Sequence, residues 1–295
     1  MVRRVASLGF IIQLADTQGM CTGLRRILNR VKSELRVGQV SVLGDFVHNP
    51  EVYEELKVLG AQRIDDVRQA VPGVRVVVGP HGRDATLKRK VVENGADLLD
   101  TSCPRVSNVM SVAADLYRRG YAIVFVGRRS HEEAAMLRAD LGSVHVVEED
   151  DDVDALPRGP LGLVAQSTLT ERRFAEVCSI LESRHLSFVA KDTICDETKA
   201  RQSAAERLAK AVDIVVVVGG SKSHNTFELA QTCERNGART LLINGPSDLH
   251  GDLFVDASSV GVTAGASTPD NVVALVVSRL YEISTELSNS SQHLA

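Results

Sequence analysis

Short apolar runs alternate along this chain with longer segments in which apolar positions recur at helical spacing. Val40 to Asn49 (VSVLGDFVHN), Ala122 to Glu133 (AIVFVGRRSHEE) and Ile214 to Asn225 (IVVVVGGSKSHN) each read as an apolar strand that stops at glycine and enters a polar cluster. Val74 to Gly82 (VRVVVGPHG), Gly162 to Thr168 (GLVAQST) and Val260 to Ser267 (VGVTAGAS) read as shorter strands with a second kind of polar ending. Gly23 to Leu35, Ser107 to Arg119 and Lys199 to Ala211 carry the helical period. Continuous apolar runs fit strands buried on both faces, and strand-helix alternation predicts parallel α/β units.

The two strand types recur three times in the same order, and a third signal recurs with them. Asp16-Thr17-Gln18-Gly19-Met20-Cys21, Asp100-Thr101-Ser102-Cys103 and Asp192-Thr193-Ile194-Cys195 place cysteines 82 and 92 residues apart, each after a strand-like run. The first of these runs, Leu8 to Ala15, reads as an N-terminal strand. The expected organisation is three similar α/β units at 1–103 (including that strand), 104–195 and 196–285, followed by a polar, disordered tail at 286–295. Ligands of parallel α/β sheets sit beyond the carboxyl ends of the strands, where all of these cysteines and polar clusters fall. Units facing one another would gather them at one point.

Composition narrows the function. Of 295 residues 44% are hydrophobic but only 4% aromatic, with no tryptophan, so the core must be built from small aliphatic residues. A net charge of −4 without a basic run argues against nucleic-acid binding. No apolar stretch approaches the roughly 20 residues that cross a bilayer. Arg3 and Arg4 ahead of Leu8 to Ala15 faintly resemble a secretory leader, but Asp16, Thr17 and Gln18 stand where small residues are required. A cytoplasmic protein is expected. Glu148 to Asp152 reads as a solvated acidic loop.

Five scattered cysteines argue for metal or redox chemistry rather than a disulfide framework. Cys178 and Cys233 lie inside helical segments without polar companions and read as core. Cys21, Cys103 and Cys195 could bind zinc, although no Cys-x-x-Cys spacing supports it. They could instead hold three corners of a [4Fe–4S] cluster, leaving one iron without a protein ligand. Small buried core thiols are the plain alternative, but packing does not by itself call for the Asp-Thr before each one.

At these residues the chain resembles the 4-hydroxy-3-methylbut-2-enyl diphosphate reductase family. The shared segments include Gly19 to Gly23, Val47 to Asn49, His81-Gly82, Asp100 to Pro104, His131 with Glu133, Gln166 to Thr168, Cys195, Ser223 to Asn225 and Gly261 to Asp270. The resemblance implies a trefoil of three α/β units with parallel sheets around one [4Fe–4S] cluster held by Cys21, Cys103 and Cys195. It implies Glu133 as proton donor, with His131 and Thr168 as relay or orienting groups. It places the substrate among His48, His81, Ser167, Ser223, His224, Asn225 and Ser267. It also implies a ferredoxin or flavodoxin as electron donor and an allylic hydroxyl as the group removed, giving isopentenyl and dimethylallyl diphosphate.

The sequence leaves the family pattern in several places. Thr17-Gln18 replaces Pro-Arg, and Met20 replaces Phe. The loop Gly127 to Met136 lacks the first His, the Pro and the final Gly of Gly-His-x-x-His-Pro-Glu-Val-x-Gly. A Ser-Ser-Asn trio reads Ser223-His224-Asn225, with one residue lost upstream, and Ala-His-Gly-Val reads Pro80-His81-Gly82-Arg83. An alternative is therefore a paralogue that removes a hydroxyl from a different substrate in specialised biosynthesis. A cluster-bearing sensor would need the three cysteines but has no use for Glu133 or the ring of Ser, Asn and His.

Overall fold

The apolar runs do form strands, and all but the last, at 259–264, are followed by a helix that returns the chain for a parallel neighbour. The computed structural model describes residues 9–221 and 223–292, so the Arg3-Arg4 pair lies outside the described residues. From the N-terminus the elements are β1 (Ile11–Leu14), α1 (Thr22–Leu35), β2 (Val40–Leu43), α2 (Pro50–Val58), β3 (Gln62–Ile64), β4 (Arg75–Val78), α3 (Ala85–Glu93) and β5 (Asp97–Asp100). Next come α4 (Pro104–Arg118), β6 (Ala122–Val126), α5 (Glu132–Leu141), β7 (Val144–Val147), β8 (Leu161–Ala165), α6 (Glu171–Ser183) and β9 (Phe188–Lys191). The remainder is α7 (Asp196–Ala209), β10 (Ile214–Val218), α8 (His224–Arg235), β11 (Arg239–Ile243), β12 (Ser259–Ala264) and α9 (Asp270–Gln292).

Three four-stranded sheets result, ordered β3-β2-β4-β5, β7-β6-β8-β9 and β11-β10-β12-β1. All of their pairings are parallel. The inner strands β2, β8 and β10 are buried along their whole length, as expected where helices cover both faces of a parallel sheet. The chain forms two compact bodies. One holds the third sheet, with the described residues up to Cys21, His48–Val52 and the chain from Ala200 on. The other holds the first two sheets, in Thr22–Val47 and Tyr53–Lys199. Among the described residues no helix is long and apolar enough to cross a membrane.

Three expectations are corrected. The N-terminal strand belongs to the third sheet, not to a first unit ending at 103: Ile11 to Leu14 run parallel to Ser259 to Val262 of β12. There β1 fills the edge position that β5 and β9 fill in the other sheets. The polar C-terminal tail is helical through Gln292 as part of α9. Its serines dock the start of the chain: the Gly9 amide donates to Ser288 Oγ (2.7 Å) and Ser284 Oγ donates to the Phe10 carbonyl (3.0 Å). Finally, the acidic stretch closes into a 3-10 helix at Asp150–Ala155, because the Asp152 carboxylate accepts from the Glu148 and Glu149 amides at 2.8 and 2.9 Å.

Candidate active site

Each edge strand β1, β5 and β9 ends at an Asp-Thr, and the following cysteine stands at the start of a helix. At two of the three junctions the Asp-Thr is structural, whereas Asp16 pairs with Arg207 at 2.9 Å. Asp100 Oδ1 accepts from the Ser102 amide (2.9 Å), and Asp192 Oδ1 accepts from the Ile194 amide (3.0 Å), so each aspartate closes a turn onto its own backbone. The threonines clamp that turn to the neighbouring strand. Thr101 Oγ1 donates to the Val78 carbonyl and Thr193 Oγ1 to the Ala165 carbonyl, both at 2.6 Å. Lys88 pairs with Asp100 at 2.8 Å. Burial alone would raise the Asp100 pKa, but hydrogen bonds from Lys88 and Ser102 prevail and hold it below the usual carboxylate value.

The cysteine amides are fixed in an equivalent way three times. Cys21 donates to the Ala266 carbonyl (3.0 Å), Cys103 to Pro80 (2.9 Å) and Cys195 to Ser167 (2.9 Å). Each acceptor sits in a tight turn after an inner strand, closed by Thr268 to Gly265, Gly82 to Gly79 and Leu169 to Gln166, all at 3.0 Å. The residue after each acceptor is Ser267, His81 and Thr168, so one turn presents both the cysteine and a substrate candidate. The second polar signal is equally regular. Gly44, Gly127 and Gly219 donate to Ile64, Val147 and Ile243 (2.8, 3.0 and 2.8 Å). Four residues beyond these glycines stand His48, His131 and Ser223, at the starts of α2, α5 and α8.

The body of the third sheet carries Cys21, His48, Ser223, His224, Asn225 and Ser267. The His48 carbonyl lies against Gly220, where any side chain would collide with it. Ser223 caps α8, its Oγ accepting from the Thr226 amide at 3.4 Å. Asn225 is only 5% exposed, and among the described residues neither its Oδ1 nor its Nδ2 has a hydrogen-bond partner. His224, also buried, has Nε2 3.5 Å from Glu228 Oε1, one helical turn along.

The other body carries Cys103, Cys195, His81, His131, Glu133, Ser167 and Thr168. Glu133 lies in the first turn of α5 and is 1% exposed. Ser167 holds it twice: the amide donates to Oε2 at 2.9 Å and the hydroxyl donates to Oε1. Because the Ser167 carbonyl also accepts from Cys195, the carboxylate and that cysteine share one anchor. His131 caps the same helix, its Nδ1 accepting from the Glu133 amide at 3.3 Å. Gly82, at φ +78, packs on α5, where an added Cβ would lie 3.0 Å from Met136 Sδ and 3.3 Å from Ser102 Oγ. The His81 turn, the Glu133 helix and the Cys103 turn therefore touch.

Sequence reasoning left Gln166 out of the site. It is fully buried, its Oε1 accepts from the Arg128 amide (2.9 Å), and its Nε2 donates to Thr168 Oγ1 (2.6 Å), which fixes that hydroxyl. A glutamine ending an otherwise apolar strand was the available signal.

The cysteines divide as their positions suggest. No disulfide occurs among the described residues, and Cys21, Cys103 and Cys195 are half-buried. Burial pushes the Cys233 thiol up to about 12, and raises that of Cys178, which is half-buried at the edge of the second sheet's core rather than inside it. The shared geometry, each amide donating to a turn after an inner strand, fits one donor set at Cys21, Cys103 and Cys195, whereas Cys178 and Cys233 lie inside α6 and α8.

These features define a class of α/β protein with three topologically equivalent parallel sheets, a cysteine after one edge strand of each, and one buried carboxylate beside a junction. The LytB protein family model matches residues 12–281. The 4-hydroxy-3-methylbut-2-enyl diphosphate reductase of Thermoanaerobacter sp. (strain X514) is 31% identical over 276 residues, 91% of this chain and 96% of that one. The solved E-1-hydroxy-2-methyl-but-2-enyl-4-diphosphate reductase of Plasmodium falciparum is similar with a TM-score of 0.86 at 25% identity, covering 92% of this chain and 87% of that chain. A second solved (E)-4-hydroxy-3-methyl-but-2-enyl diphosphate reductase, described as the terminal enzyme of the non-mevalonate pathway, has a TM-score of 0.66 at 32% identity and covers 94% and 100%. The chain belongs to the LytB protein family, whose relatives named here are reductases.

Proposed function

We propose that the protein reduces 4-hydroxy-3-methylbut-2-enyl diphosphate. Two electrons and two protons are consumed, the allylic C–O bond breaks, water leaves, and isopentenyl and dimethylallyl diphosphate form. Family membership implies an iron–sulfur cofactor, which Cys21, Cys103 and Cys195 would hold as a [4Fe–4S] cluster. Such a cluster supplies electrons singly and, with three protein ligands, an iron open to substrate. A low-potential ferredoxin or flavodoxin would deliver the electrons.

Glu133 holds the proton for the departing hydroxyl, and Ser167 keeps its carboxyl in one orientation through two hydrogen bonds. His131, at the cap of the same helix, and Thr168, fixed by Gln166, orient and relay. Ser223, Asn225, Ser267 and His48 would receive the diphosphate, and the family resemblance adds His81 to the substrate-binding set. The start of α8 favours an anion through the partial positive charge at a helix N-terminus.

Asn225 carries this reading. A buried polar group without a partner costs about 1–3 kcal/mol, and a diphosphate oxygen accepting from Nδ2 offsets that cost. Replacing Asn225 with Ala is expected to weaken diphosphate binding about tenfold or more, measured by calorimetric titration. Equal affinity in wild type and Asn225→Ala would refute the assignment.

His224 favours a second reading, a paralogue acting on another hydroxylated substrate. An imidazole fills more space than the family's Ser, and here it has a carboxylate neighbour in Glu228. On that reading His224→Ser improves turnover of the diphosphate. On the first reading the substitution leaves turnover unchanged or lowers it.

A further inference from the structure

We propose that a cleft on the first sheet, sharing no residue with the site above, binds a small amphiphilic phosphate ester: one phosphate head on a short hydrocarbon body. The cleft encloses about 470 Å³, a volume suited to a small-molecule site. It lies past the carboxyl ends of β2 and β3, with α3 along one side, where open parallel sheets take their ligands.

Its charges do not cancel. On one rim Arg68 is closed by Asp66, with Nε and Nη2 at 2.9 and 2.5 Å from Oδ2. That guanidinium holds the Asp66 carboxyl down at about 2. Asp65 is likewise taken by Arg63 at 2.8 Å. Arg83 and Lys90 remain. Arg83 is half-buried and, among the described residues, donates only to the carbonyls of Gly82 (2.9 Å) and Leu43 (3.4 Å), neither of which carries a charge. Lys90 forms no ion pair among the described residues and faces Asp66 only at longer range. A half-buried guanidinium without a counter-ion favours an anion, and its planar fork matches two phosphate oxygens.

The rest of the lining sets the ligand's shape. Leu43, Val67 and Leu87 form an apolar wall that suits a hydrocarbon chain. Asp65 and Asp66 on the far rim repel a ligand charged along its whole length. A charged head with an apolar body satisfies both. Arg83 is also where the chain departs from the family pattern at Pro80-His81-Gly82-Arg83, so the cleft's unmatched cation is a feature of this chain.

The test is calorimetric titration of the anaerobically prepared full-length protein with n-pentyl phosphate. Wild type is expected to bind it saturably, and more tightly than inorganic phosphate. Arg83→Val should weaken binding tenfold or more and Lys90→Gln several-fold, while Asn225→Ala leaves it unchanged. No saturable binding by wild type overturns the proposal. So does undiminished binding in both Arg83→Val and Lys90→Gln, or loss in Asn225→Ala, which would place the ester at the diphosphate site instead.

Discussion

Glu133 is the residue on which the proton chemistry turns. It is buried at the start of α5 and held through both oxygens by Ser167, so its geometry is set before substrate arrives. Glu133→Gln keeps the shape but cannot deliver a proton. Turnover is expected to fall about 10²–10⁴-fold, with cluster content and substrate affinity retained, as steady-state kinetics beside an iron assay would show. Near-normal turnover would remove Glu133 from its role. The choice of Glu133 came from the resemblance, whereas its Ser167 anchor comes from a contact 34 residues away in sequence, which no local pattern encodes. Gln166 was missed although a glutamine ending an apolar strand is a local signal; only its bond with the Arg128 amide, 38 residues away, lies beyond local pattern.

At the scale of elements, the Asp-Thr turns place the cysteines. Thr193 donates to the Ala165 carbonyl and also accepts from the Ala165 amide (2.8 Å), whereas among the described residues Thr101 makes only the donated bond. Thr193→Val leaves a buried amide without a partner and is expected to cost about 1–3 kcal/mol, more than Thr101→Val, by urea denaturation. The reverse order would show that these clamps do not set the turn's stability. The inner strands were legible because each is a largely buried, mostly aliphatic run. The far-edge strands β3, β7 and β11 were not: Gln62–Ile64 has one buried residue in three, and Arg239–Ile243 one in five. Periodicity also marks Ile11 to Leu14 as a strand without naming its partner, and β12 lies some 250 residues away. The helical tail escaped because Ser284 and Ser288 read as solvated until the backbone they dock is known.

For the whole molecule, the threefold recurrence of sheet order, turn and cysteine connects sequence to chemistry. Cys21→Ser, Cys103→Ser and Cys195→Ser are each expected to strip most iron from anaerobically prepared protein, while Cys178→Ser and Cys233→Ser retain it. Full iron in any of the first three would overturn the ligand set. The central claim, however, is the reaction. Its most direct test is anaerobic steady-state turnover of 4-hydroxy-3-methylbut-2-enyl diphosphate by cluster-replete wild-type protein with a chemical reductant, with products identified by mass. The account predicts sustained formation of isopentenyl and dimethylallyl diphosphate; protein that carries an intact, reducible cluster yet forms neither product would contradict it.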